Sequence, residues 1–182
     1  HPRINNGYDG DGILFKGPNG VATVDNAWID NMMDALSFPT VRAFQVCGVY
    51  ARYIRDDFIE DDGCKDGVIR DTLVDNTHMF ISVRPGHQSR GKKCSPNLTI
   101  EDSLVSIGCQ PYNGDMKGHK DSRSCNGRTT GAGQIFKTSV GGPIMNVKNS
   151  IFLVESINEG GTPQRSMPRG TYSNVTIVWL GS

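Results

Sequence analysis

Short alternations of apolar and polar residues, broken every few positions by Gly, Pro or Asn, run along most of this chain. The clearest is 77–83, where Met79, Ile81 and Val83 share one parity and His78, Phe80 and Ser82 the other, the period-two pattern of a strand. Segments 46–54, 97–107, 134–140, 150–157 and 172–180 read the same way. Pro85-Gly86, Pro96, Gly108, Pro111, Gly141-Gly142-Pro143 and Gly160-Gly161 separate them with turn chemistry. One segment departs from this rhythm. Trp28, Ile29, Met32, Met33 and Leu36 recur at helical spacing, and Asp25 or Asn26 would cap them, so 25–36 predicts one short amphipathic helix. Residues 1–24 read as loop, and no internal repeat, linker or second domain stands out. The expected fold is all-β: an antiparallel β-sandwich of immunoglobulin or fibronectin type, with one short helix and long loops, in which 1–182 form a single catalytic domain.

Length and composition are those of a chain able to bury a core: 182 residues with 22 Gly and 9 Pro. No apolar run is long enough to span a membrane as a helix. Five cysteines (Cys47, Cys64, Cys94, Cys109, Cys125) at wide spacings, without a CxxC pair, predict two disulfides and one leftover thiol, hence an oxidising, extracellular setting. Sequons at Asn97 and Asn174 suit a secreted glycoprotein. The net charge of zero conceals a segregation. Residues 52–75 hold eight acidic side chains against four basic ones, whereas 84–93 hold four basic and no acidic ones. The acidic stretch 56–62 and the pair Asp9 and Asp11 lack an EF-hand spacing and read as solvated loops.

Candidate chemistry begins at the first residue. An N-terminal histidine, if a signal peptidase sets it, offers both an α-amine and an imidazole; a trimmed end or cloning scar is the alternative. The second candidate is the loop after 77–83, where Gly86 precedes His87 and Cys94 closes the far end. His1 and His87 together would give three nitrogens, a set that suits tetragonal Cu(II) better than tetrahedral zinc. Binding would release the amine proton, so affinity would fall in acid.

With these pieces the chain resembles the lytic polysaccharide monooxygenases, copper enzymes built on a histidine brace. The matching pieces are His1, the strand and loop from Phe80 through Gly86-His87 to Cys94, and Tyr172-Ser173-Asn174-Val175-Thr176-Ile177-Val178-Trp179-Leu180. They are similar to motifs of the chitin-active fungal group, as is Phe38-Pro39 with Cys47-Gly48-Val49-Tyr50. The loop after His87, Gln88-Ser89-Arg90-Gly91-Lys92-Lys93, departs from that group. The resemblance implies that His1 and His87 hold one copper ion with Tyr172 near the axial position. An external reductant and oxygen or hydrogen peroxide would then drive cleavage of a polysaccharide.

Substrate is read from charge. Arg84, Arg90, Lys92 and Lys93 surround His87, with Arg165 and Arg169 shortly before Tyr172, and such groups favour carboxylates. An acidic polysaccharide, pectin (homogalacturonan) first, is therefore expected, and chitin or cellulose is the alternative; the resemblance extends to the pectin-active family of oomycetes. Gln164 and Glu155 are candidate groups beside the metal. His78 reads as a packed strand histidine, His119 as a loop residue, and Trp28 and Trp179 as core. On charge, nucleic acid and membrane are not expected partners, and the chain is expected to be a secreted monomer. A copper-binding protein without turnover and a metal-free carbohydrate-binding sandwich remain as other classes. No GxSxG is present, and a glycosidase carboxylate pair cannot be picked out from 19 acidic residues.

Overall fold

A computed structural model describes residues 12–17, 19–83, 95–108, 123–125, 128–130, 134–138, 142–154 and 167–180, with backbone only for 123–125 and 128–130. In chain order the strands are β1 Ile13–Leu14, β2 Val21–Asp25, β3 Trp28–Asp30, β4 Leu36–Ser37, β5 Ala43–Cys47 and β6 Tyr50–Glu60. There follow β7 Asp66–Arg70, β8 Leu73–Val83, β9 Asn97–Glu101, β10 Leu104–Ile107 and the short pair β11 Arg123–Cys125 and β12 Arg128–Thr130. β13 Gln134–Thr138, β14 Ile144–Val154 and β15 Gly170–Trp179 complete the set.

The all-β expectation holds, and the sandwich does not. Apart from the antiparallel pair β11–β12, every described pairing is parallel, in one sheet that curls around the core. Parallel neighbours cannot be joined by hairpins. Here the chain goes once around the core between one strand and its partner, as in a solenoid. The first face stacks β2, β5, β7, β9, the start of β14 and the start of β15. The second stacks β3 and the starts of β6 and β8 with β10 and the ends of β14 and β15. The third stacks β1, β4, the end of β6, the end of β8 and β13.

Registration places like on like. On the first face Val24, Val46, Ile69, Ile100, Val147 and Tyr172 form one inward column. On the second, Ile29, Ala51, Val74, Val105 and Phe152 form another. Phe58, Phe80, Phe136 and Phe152 meet across the interior, Phe58 and Phe80 stacked at 5.6 Å and Phe80 edge-on to Phe152 at 5.8 Å. Phe44 lies directly over its partner Gly67, where any Cβ would penetrate the ring.

The helix expected over 25–36 is absent. That stretch is β2, a corner, β3, a second corner and β4. Asn26 and Asn31 sit at φ of 51° and 58°, left-handed values that a helix cannot contain. Two corners five residues apart give apolar residues a spacing that mimics a helix. Ile29 is buried while Trp28 is 69% exposed. Trp179 is likewise exposed, against its expected place in the core.

The repeat is real although no repeat was expected. Stacked partners lie 22 or 23 residues apart in the first coils, then 31, 47 and 25. Those later insertions hide the period. Asn174 is itself a corner residue at φ 53°, so strand parity breaks there and both Tyr172 and Val175 pack on the core. Cys64 is in a disulfide and Cys47 is a free thiol, while Cys94 and Cys109 lie outside the described residues.

Candidate functional site

At the corner between the second and third faces, two adjacent coils bring three carboxylates together. Residues 31–34 run beside 52–57. Asn31 N donates to Arg52 O at 3.0 Å, Arg55 N to Met32 O at 2.9 Å and Asp56 N to Met33 O at 2.9 Å. The longer coil fits an irregularity between Ile54 and Asp57, the kind of bulge that re-aims side chains. Asp57 N then donates to Asp34 Oδ1 at 3.0 Å. The result is that oxygens of Asp34, Asp56 and Asp57 all lie within 4.8 Å of one another.

One cation is built into the cluster. Lys137, from β13 two coils away, places Nζ 3.1 and 3.2 Å from the two oxygens of Asp57 and 3.6 Å from Asp56. Asp57 is almost wholly buried, whereas the Asp56 side chain is 25% exposed. Burial, more than the neighbouring carboxylates, pushes Asp34 up to about 8, so it holds its proton at neutral pH. Its Oδ1 already accepts the Asp57 amide, which leaves Oδ2 to carry that proton. Burial and then Asp56 also raise Asp57, and Lys137 opposes them. His78, buried in β8 as expected of a packed histidine, is held towards its neutral form by burial. Asp56 and Lys137 act on it in opposite senses.

A protonated carboxyl beside an accessible carboxylate, with an ammonium fixing the charge balance, is an acid–base pair. Three carboxylates are also a cation site by donor type. Lys137 already occupies the position from which a divalent ion would neutralise Asp56 and Asp57, which favours proton chemistry.

The residues expected from sequence are placed as follows. His1, His87, Arg84, Arg90, Lys92, Lys93 and Gln164 lie outside the described residues, as do Glu155 and His119. Tyr172 is described. It ends the inward column of the first face, donates its hydroxyl to Pro168 O at 2.7 Å, and is raised by burial. The acidic stretch 56–62, expected to be solvated, instead contributes Asp57 and Asp61 to the buried residues. Asp34, Asp56 and Asp57 were legible only through the coil period, since Asp34 and Asp57 are stacked partners 23 residues apart. Lys137 carries no such signal. Comparison of the chain with protein-family models, with curated proteins and with solved structures found no match.

Proposed function

We propose that this chain hydrolyses glycosidic bonds in a polysaccharide, with Asp34 as proton donor and Asp56 as nucleophile. The observation that carries this reading is the pairing of a carboxyl that keeps its proton at neutral pH with a second, partly exposed carboxylate within 4.8 Å. In the step, Asp34 gives its proton to the glycosidic oxygen as the bond to the anomeric carbon breaks. At this close spacing Asp56 attacks that carbon as the bond breaks, and water then displaces Asp56 from it and returns a proton to Asp34, so one water is consumed per bond cleaved. Lys137, held on both oxygens of Asp57 and close to Asp56, offsets the negative charge beside the neutral Asp34. A stacked solenoid face suits an extended polymer. The substrate class stays that expected from charge, a pectin-like acidic polysaccharide, and a secreted monomer is the form proposed.

A second reading, favoured by the His1 and His87 motif, is copper-dependent oxidative cleavage of the same substrate class. His1 and His87 would hold the copper, which supplies reductant-driven oxygen chemistry, with Tyr172 beside it. The antiparallel sandwich that the resemblance implies is not the fold of this chain, which removes one of its supports. One experiment separates the two. Polygalacturonate, chitin and cellulose are incubated with the protein, with and without reductant, and products are read by reducing-end assay and mass spectrometry. Hydrolysis predicts unoxidised ends without reductant, lost in Asp34→Asn. Oxidised products that require reductant and copper, lost in His87→Ala and accompanied by a nitrogen-rich Cu(II) EPR signal, would establish the second reading instead.

A further inference from the structure

We propose that Trp28, Arg52 and Tyr53 form a sugar-stacking platform that holds the polysaccharide beside the carboxylate cluster, an inference that rests on the hydrolytic reading above. The first observation is conformational. The corner before the third face uses Asn31, Tyr53 and Asn76 in successive coils, all left-handed at φ of 58°, 52° and 63°. Asn tolerates that region and a bulky aromatic does not, so Tyr53 sits where the fold itself would choose Asn. Strain of this kind persists where function maintains it. What Tyr53 gives in return is a ring that is 47% exposed.

The second observation is the company the ring keeps. The Arg52 guanidinium lies 5.5 Å from the Tyr53 ring centre and 5.7 Å from that of Trp28, and an ion pair of 2.8 Å to Asp30 fixes it. Trp28 packs at 5.9 Å and 40° on Tyr50, its partner in the next coil. Two exposed rings are thus braced by a cation at the surface, which no core requirement explains. A flat apolar ring flanked by charged hydrogen-bonding groups matches the C–H face and hydroxyl rim of a sugar.

The third observation is place. Trp28 and Asp34 belong to one coil, Tyr53 and Asp56 to the next, and Tyr53 precedes Asp56 by three residues, about 10 Å of chain at most. The platform therefore flanks the cluster around one corner, where it would bind the chain to one side of the bond being cleaved.

The chain has two tryptophans, so Trp179→Phe leaves Trp28 as the sole tryptophan fluorophore. In that background, with Asp34→Asn added to spare the ligand, oligogalacturonides are titrated, with chito- and cello-oligosaccharides in parallel. The expected result is a saturable change in Trp28 emission. Tyr53→Asn should weaken that binding at least tenfold while its melting temperature equals or exceeds that of the parent, and Tyr53→Phe should keep it. Unchanged affinity in Tyr53→Asn overturns the platform, as does hydrolysis by the wild type with no Trp28 response to any of the sugars. A Trp28 response without hydrolysis by the wild type upholds the platform and overturns the hydrolytic reading. Neither response nor hydrolysis overturns both.

Discussion

Two of the coil's corners obey different rules. The corner after the first face passes through Asn26, Gly48, Asp71, Asp102, Asn149 and Asn174, each at a φ between 48° and 62°. Backbone amides there donate to the next coil: Asn26 N to Cys47 O at 3.0 Å, Asp71 N to Glu101 O at 3.2 Å and Asp102 N to Lys148 O at 3.1 Å. Side chains join in, with Asn149 Nδ2 on Asp102 Oδ1 at 3.0 Å and Asn174 Nδ2 on Asn149 Oδ1 at 3.1 Å. Every residue at that corner is one that accepts the left-handed region readily. At the other corner Tyr53 interrupts the asparagines, the pairing register shifts, and three carboxylates converge. Repetition is what stability asks of a solenoid, because each coil must fit its neighbours. Departure from it marks where another demand has prevailed.

The irregular corner serves no chemistry if removing one of its carboxylates leaves activity intact. Asp34→Asn should lower the rate of polysaccharide hydrolysis by about 10²–10⁴-fold, the usual worth of a positioned acid, and Asp56→Asn, which removes the nucleophile, by at least as much, with the fold retained in both. In the wild type the rate should fall as pH rises past about 8, because Asp34 there loses the proton it must donate. A rate that keeps rising above that pH would exclude Asp34 as donor. Next in size is the core both corners share. Phe80→Ala removes the ring that touches Phe58, Phe136 and Phe152 and should cost about 3–5 kcal/mol in denaturant unfolding.

A third test uses a buried acid outside the cluster. Asp61 is wholly buried; its Oδ2 accepts Lys65 N at 2.8 Å, and its Oδ1 meets no donor among the described residues. Burial pushes it up to about 8 from an ordinary 3.8. The folded state thus holds a proton that the unfolded state releases across that interval. Its contribution to stability is full below 3.8, declines as pH rises towards 8 and is level above. The slope for one proton is at most about 1.4 kcal/mol per pH unit. Asp61→Asn should flatten the decline by one proton's share, leaving the slopes that Asp34 and Asp57 contribute with the same sign. Identical slopes in the two proteins would show that Asp61 is ionised in the fold.

How much of this was legible in the sequence depends on what each residue reports. Alternation in 77–83 and 97–107 announced strands because parity is a local property, and β8, β9 and β10 follow. Whether strands pair parallel or antiparallel is not local. Turn residues such as Asn26 and Asp71 look alike in a hairpin and in a solenoid corner, so a sandwich fitted the same marks. The deciding signal was the recurrence of Asn26-Ala27-Trp28-Ile29 as Asp71-Thr72-Leu73-Val74, Asp102-Ser103-Leu104-Val105 and Asn149-Ser150-Ile151-Phe152, obscured by spacings of 31 and 47. Asp56 and Asp57 were visible as charge but not as a site, since their partner Asp34 is near only once the coil closes. Lys137 joins them from 80 residues away, a distance no local pattern reports.

Asn149 does two things at its corner: it adopts φ 48°, and its amide links Asp102 to Asn174. Asn149→Ala loses both, while Asn149→Gly loses the links but keeps the conformation free of strain. The exposed side-chain links are each worth about 0.5 kcal/mol, at the low end for hydrogen bonds. Holding an alanine in the left-handed region adds about 1–2 kcal/mol. Unfolding in denaturant should therefore rank wild type above Asn149→Gly and Asn149→Gly above Asn149→Ala, with the second gap the larger. Hydrolysis should be unchanged in both variants, because neither touches the irregular corner. If the two variants unfold together, the hydrogen-bonded ladder rather than the backbone conformation sets the regular corner's residue choice, and Tyr53 then loses its standing as the costly exception at the other.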